Sequence, residues 1–118
     1  MDTYALLEHA ILYREQVVAT YEGEVREFCP HALGKKQERR HVLAYQFGGK
    51  SRSRLPRAGE WRCFAVDRLV NPSSRPGPWH TSANVFNPQS CLDVIDLVVQ
   101  PLPAKAPPPA PPQQAGEG

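Results

Sequence analysis

The first dozen residues carry apolar side chains at helical spacing. In "DTYALLEHAILYR", Leu6, Leu7, Ala10 and Ile11 recur three and four positions apart, which predicts one short amphipathic helix with Asp2 or Thr3 as its N-cap. The period then drops to two. Val17, Ala19 and Tyr21 alternate with polar or small neighbours, "EGE" turns, and "VREFC" returns, so "QVVATYEGEVREFCP" predicts a β-hairpin. Pro30 is expected to end its second strand or to mark an edge. "HVLAYQF" predicts a third strand and "WRCFAVDRLV" a fourth, joined by a loop rich in Lys, Arg and Ser. "NPSSRPGPWHTSANVFNP" holds too much Pro, Ser and Asn for regular structure. The β-branched content of "CLDVIDLVV" favours a fifth strand, although Leu92, Ile95 and Val99 also suit a short helix capped by Ser90.

One short helix followed by four or five short strands does not make a two-layer α/β domain. The pattern predicts a mainly β fold, a small Sm/SH3-like antiparallel barrel with one short N-terminal helix. Side chains fill the inside of so small a barrel, so any ligand is expected on the surface, between loops and strand edges. Residues 1–100 form that domain. From Pro101 the chain reads "PLPAKAPPPAPPQQAGEG", with seven prolines in eighteen residues. Such a segment does not pack a core. Residues 101–118 are expected to be a disordered Pro-rich tail, either solubilising or offered to the aromatic groove of a protein partner.

At 118 residues the chain holds one modest core. No apolar run reaches the roughly 18 to 20 residues that span a bilayer, and the start lacks the basic and cleavage-site features of a secretory signal. Cys29, Cys63 and Cys91 are odd in number and widely spaced, which argues for a reducing compartment and a cytoplasmic location. Cys63 and Cys91 are expected to act as small apolar strand residues.

Charge changes the picture through its distribution. The net charge is only +2, but residues 25–68 hold eleven Lys or Arg against four acidic residues. The flanking segments are acidic. A local excess of this kind attracts anions and raises their encounter rate. Arg40 and His41 open the third strand, while Lys50, Arg52, Arg54 and Arg57 occupy the following loop with Ser51 and Ser53 between them. Arg62 and Arg68 share strand parity with Phe64 and Val66, so one sheet face is expected to hold them. Arginine forks suit phosphate, serines add neutral donors, and Tyr45, Phe47, Trp61 and Phe64 offer stacking surfaces. The plain alternative is a solvated loop.

Other chemistry is weakly represented. Cys29 and His31 are spaced for one metal, but no further ligands recur at supporting distances. "GGKS" lacks the earlier glycine and the strand–loop–helix context of a phosphate loop. No nucleophile elbow or convincing carboxylate pair is present, and a dyad of His31 with Asp67 or Glu27 is the only catalytic arrangement to consider. An enzyme is not expected, nor is a cofactor.

The order "YEGEVR", "PHALG", "HVLAYQ", "WRCFAVDRL" resembles the WYL domain, a small Sm/SH3-like barrel found mainly in bacterial transcription regulators and in phage-defence and DNA-damage systems. Tyr21, Gly23 and Arg26 match its first element, Pro30 and Leu33 its second, and Arg62, Phe64, Asp67, Arg68 and Leu69 its last. Val42, Leu43, Ala44 and Tyr45 stand where the name-giving tripeptide falls, and the tripeptide itself is absent. The chain is more similar still to short stand-alone bacterial proteins of this kind. The resemblance covers roughly residues 5 to 99. It implies binding rather than catalysis, through a basic pocket that senses a nucleotide or single-stranded nucleic acid. By position, Arg26, His31, Tyr45, Gln46, Ser51, Ser53, Arg62 and Arg68 would line it. The residues before the first strand are too few for the regulators' helix-turn-helix. A homodimer through strand edges and a protein partner for the tail are the remaining expectations; no membrane contact is expected.

Overall fold

The computed structural model describes residues 2–50, 59–82 and 88–100. Helix α1 spans Thr3–Tyr13, and Asp2 caps it by accepting a hydrogen bond from the Ala5 amide at 2.8 Å. Strands β1 (Gln16–Tyr21) and β2 (Glu24–Lys36) form the expected hairpin. Its two-residue turn places Glu22 and Gly23 at φ 54° and 80°, the positive values that a tight hairpin turn needs.

Pro30 does not end β2. The first half of β2 pairs with β1 as far as Phe28, and the second half pairs on the same edge with β6 (Val94–Val98) from Ala32 onward. Pro30 falls in the gap between them, where that edge has no ladder bond for its missing N–H to break. On the other edge β2 pairs with β3 (Arg39–Gly49), through an irregularity between Pro30 and Ala32. Gly34 lets β6 approach, since a Cβ there would collide with the Val94 carbonyl.

The predicted fourth strand divides. β4 (Glu60–Ala65) pairs with β3, a single 3-10 turn covers Val66–Arg68, and β5 (Val70–Arg75) then pairs with β1. Part of the segment expected to be irregular, "NPSSR", is therefore strand. Its backbone groups pair with β1 across a register shift between Val18 and Thr20, so the ladder outweighs an unfavourable composition. The fifth predicted strand is β6. It follows a short 3-10 turn at Pro88–Ser90.

The result is a six-stranded antiparallel sheet in the order β4-β3-β2-β1-β5, with β6 on β2. The fold is mainly β, as expected, but the described strands do not close into a barrel: β4 and β5 are not paired. One face carries the main core, where Leu7, Ala10 and Ile11 of α1 pack on Val17, Phe28, Leu33, Val42, Ala44, Phe64 and Val99. The opposite face carries a smaller cluster of Ala32, Leu43, Cys91 and Leu92.

That second face corrects the cysteine reading. Cys63 and Cys91 form a disulfide, joining β4 to the segment that leads into β6. β4 presents Cys63 beside Leu43 of β3, on the face that Cys91 covers, so the fold brings together two residues 28 positions apart. Among the described residues, no helix is long and apolar enough to cross a membrane. Residues 101–118, the expected tail, lie outside the described residues.

Candidate anion site at the open end of the hairpin

Arg26 is the centre of the site. It sits on β2 opposite Ala19 of β1, and its side chain lies against Tyr21 and Phe64 of the main core. Only 3% of the residue is exposed. The guanidinium carbon lies 5.5 Å from the Tyr21 ring centroid and 5.8 Å from that of Phe64. Aromatic faces favour a cation held this way. Nη1 donates to Gln46 Oε1 at 3.4 Å, Nη2 donates to the Tyr21 carbonyl at 3.2 Å, and Nε has no partner among the described residues.

A carboxylate completes the shell. Glu22, in the β1–β2 turn, places Oε1 3.6 Å from Arg26 Nη2 and Oε2 3.4 Å from Arg68 Nη2. It therefore bridges two arginines. Arg68 lies in the 3-10 turn after β4 and passes over the Tyr21 ring at 5.3 Å. Arg62, on β4, pairs with Glu60 at 2.9 Å and is close enough to repel Arg26. Burial, first, and this repulsion push the Arg26 pKa below its ordinary value, while Glu22 opposes the shift. Gln46 connects the site to the basic loop by donating to the carbonyls of Gly48 and Lys50 at 2.9 and 3.0 Å.

Of the eight positions expected to form a pocket, four therefore come together: Arg26, Gln46, Arg62 and Arg68. Arg68 corrects the strand-parity reading. It leaves the sheet with the 3-10 turn and is half exposed rather than fixed by a strand. Ser51 and Ser53 lie outside the described residues, as do Arg52, Arg54 and Arg57.

His31 and Tyr45 belong to a different cluster, around Trp61. Tyr45 packs edge-on against Trp61, with ring centroids 5.2 Å apart. His31 is wholly buried between Trp61 and Trp79, at 4.6 and 4.8 Å. Its Nδ1 lies 2.7 Å from the Cys29 carbonyl and must donate to it, which leaves Nε2 to accept from the Thr81 hydroxyl at 2.8 Å. Burial holds this imidazole down to about 4, against the raising effect of the Cys29 carbonyl. The ring is neutral and both nitrogens are engaged. These partners, rather than Asp67 or Glu27, surround it, so the dyad considered from sequence does not form. Cys29 does not join His31 in a metal set: its Sγ accepts from the His80 amide at 3.3 Å, and burial raises the thiol to about 11.

Sequence reasoning missed Glu22 and Trp79. A two-residue turn at Glu22–Gly23 sets Glu22 four positions before Arg26, a spacing that was open to notice. Trp79 and Thr81 lie in the Pro-rich connection and carry no such signal. The basic residues also divide between two places. β2 and β3 form a second hairpin: Lys36 pairs with Arg39 at its turn, while Arg26 pairs with Gly49 at its open end. An open groove of about 580 Å³ lies near the first end, lined by Asp2, Glu38 and Asp67 together with Arg39 and Arg40. Its three carboxylates outnumber its two arginines, so the groove does not coincide with the anion chemistry.

Fold and site together define a small, mainly β protein with a buried arginine at the open end of a hairpin, flanked by two further arginines. Compared with models of protein families, with curated proteins and with solved structures, the chain matches none.

Proposed function

We propose that this protein is a non-catalytic binding module, WYL-like in its motif order, which holds an anionic ligand on the arginine site. The ligand class is a nucleotide, a single-stranded nucleic acid or another phosphate-bearing molecule, and the role is that of a sensor or regulator. The observation that carries the reading is Arg26, a nearly inaccessible guanidinium with an unpartnered Nε and two more arginines beside it. Taking a guanidinium out of water costs several kcal/mol, and Glu22, at 3.6 Å, offsets only part of that cost. Fold stability alone is served as well by an apolar residue, so an arginine retained there fits a ligand better than a core. Gln46 ties the site to Lys50, the first residue of the basic segment.

The test is the binding of fluorescent single-stranded DNA and RNA oligonucleotides to the intact chain at two salt concentrations, with mononucleotides as competitors. Binding through two or three phosphate contacts should weaken by roughly one order of magnitude for a few-fold rise in salt. Competition by one nucleotide identifies a sensor pocket, and its absence a single-strand binder. No binding at low salt would sink the reading.

A second reading has its own support. Leu12 and Tyr13 of α1 are 66% and 69% exposed, and Val94 and Ile95 of β6 stand open beside them in kind. Such residues suit a protein-interaction module acting through the acidic helix, a strand edge that forms a homodimer, or the Pro-rich tail. Binding that survives high salt and is lost on removing residues 101–118 would favour it. Cytoplasmic location remains part of the first proposal, although the Cys63–Cys91 pairing removes the argument drawn from cysteine count.

A further inference from the structure

We propose that Glu22 is the selectivity element of the arginine site, an internal carboxylate that an incoming anion must displace, so that the site admits dianionic phosphate and turns away monoanions. The inference rests on the anion-binding reading and narrows its ligand to a phosphomonoester, such as a nucleotide or a 5′-phosphorylated strand end, because the phosphodiesters of a nucleic-acid backbone are monoanions. Glu22 occupies the position an anion would take, with one oxygen toward Arg26 and the other toward Arg68. Both contacts exceed the roughly 2.7–2.9 Å of a tight charge-assisted hydrogen bond. The carboxylate is held by charge more than by fit, and its side chain is 27% exposed on a turn, with solvent available to receive it.

Two features bear on its presence. Without it, the hydrogen-bond acceptors left to Arg26 would be the neutral Gln46 and Tyr21 carbonyl, with Glu24 the remaining carboxylate that favours its charge. In addition, its backbone lies at φ 54°, where a turn of this type favours Asn, Asp or Gly over Glu.

Displacement sets the selectivity. A monoanion replaces one negative charge with another and must also overcome the high local concentration of a tethered carboxylate. A phosphate dianion brings one charge for each of Arg26 and Arg68, which share the single charge of Glu22, and enough oxygens for two arginine forks. Only the dianion gains by the exchange.

The experiment titrates the intact chain, by NMR or calorimetry at pH 8, with inorganic phosphate and separately with acetate. Wild type, Glu22→Gln and Glu22→Asn are compared; Asn suits the positive φ and keeps the turn folded if Gln does not. Wild type should bind phosphate at least about tenfold more tightly than acetate. Both variants should bind phosphate about tenfold more tightly than wild type and should accept acetate as well. If wild type binds phosphate and both variants keep its discrimination, or lose phosphate binding, the selectivity role is overturned while the anion site stands. If none of the three proteins binds phosphate, both readings fail together.

Discussion

His31 and Arg26 are both buried nitrogen bases, yet the chain treats them in opposite ways. His31 has a hydrogen-bond partner for each ring nitrogen and stays neutral, so its burial is structural. Arg26 stays charged and is compensated by Glu22 and two aromatic faces. The contrast predicts different pH behaviour. The folded pKa of His31, about 4, lies below the ordinary value near 6.5, so the unfolded chain binds the proton first. Stability from this group is therefore complete above about pH 6.5 and is lost as pH falls toward 4, by on the order of 3 kcal/mol. Urea unfolding of wild type between pH 7.5 and 4.5 should show that decline. His31→Gln, which retains a donor and an acceptor, should flatten it. An equal decline in both proteins would assign the acid sensitivity to other groups.

At the scale of elements, the helix and the first hairpin were legible because periodicity and turn chemistry agree there: Asp2 caps, Leu7 and Ile11 face the core, and Glu22–Gly23 turns. The strand at 94–98 was legible from its β-branched residues, and the helix alternative was not adopted. β5 was not legible, since "NPSSR" has no strand propensity and is held by its ladder with β1. Pro30 misled because its position between β1 and β6 depends on long-range pairing. The disulfide was hidden for a similar reason: only the register of β4 against β3 turns Cys63 toward Cys91. This bond closes a loop through a sheet face with a small core, so its loss should be felt. Replacing both cysteines by alanine should cost about 2–4 kcal/mol, chiefly by freeing the unfolded chain. A denaturant midpoint unchanged by the double substitution, or an intact mass unchanged on reduction of the wild type, would contradict the pairing.

At the scale of the whole molecule, the sequence reported an excess of positive charge in the middle segment but not its division between two ends of one hairpin. The charge count treated Lys35, Lys36, Arg39 and Arg40 as one cluster with Arg26, Arg62 and Arg68, because spacing along a chain does not record where a β-ladder runs. The pocket positions split likewise: the irregularity at Pro30 and Ala32 helps place His31 with Trp61 and Trp79 instead of with Arg26. The central claim is that anion binding belongs to the end of the hairpin that holds Arg26. The most direct measurement compares the affinity of a 5′-phosphorylated single-stranded oligonucleotide for two double variants of the intact chain at two salt concentrations. Arg62→Ala with Arg68→Ala should weaken binding at least about tenfold and lower the salt dependence by about two phosphate contacts. Lys36→Ala with Arg39→Ala, which removes the same charge from the other end, should leave both nearly unchanged. Equal losses in the two would reduce the site to general electrostatic attraction, and a loss confined to the second pair would place binding at the wrong end for this account.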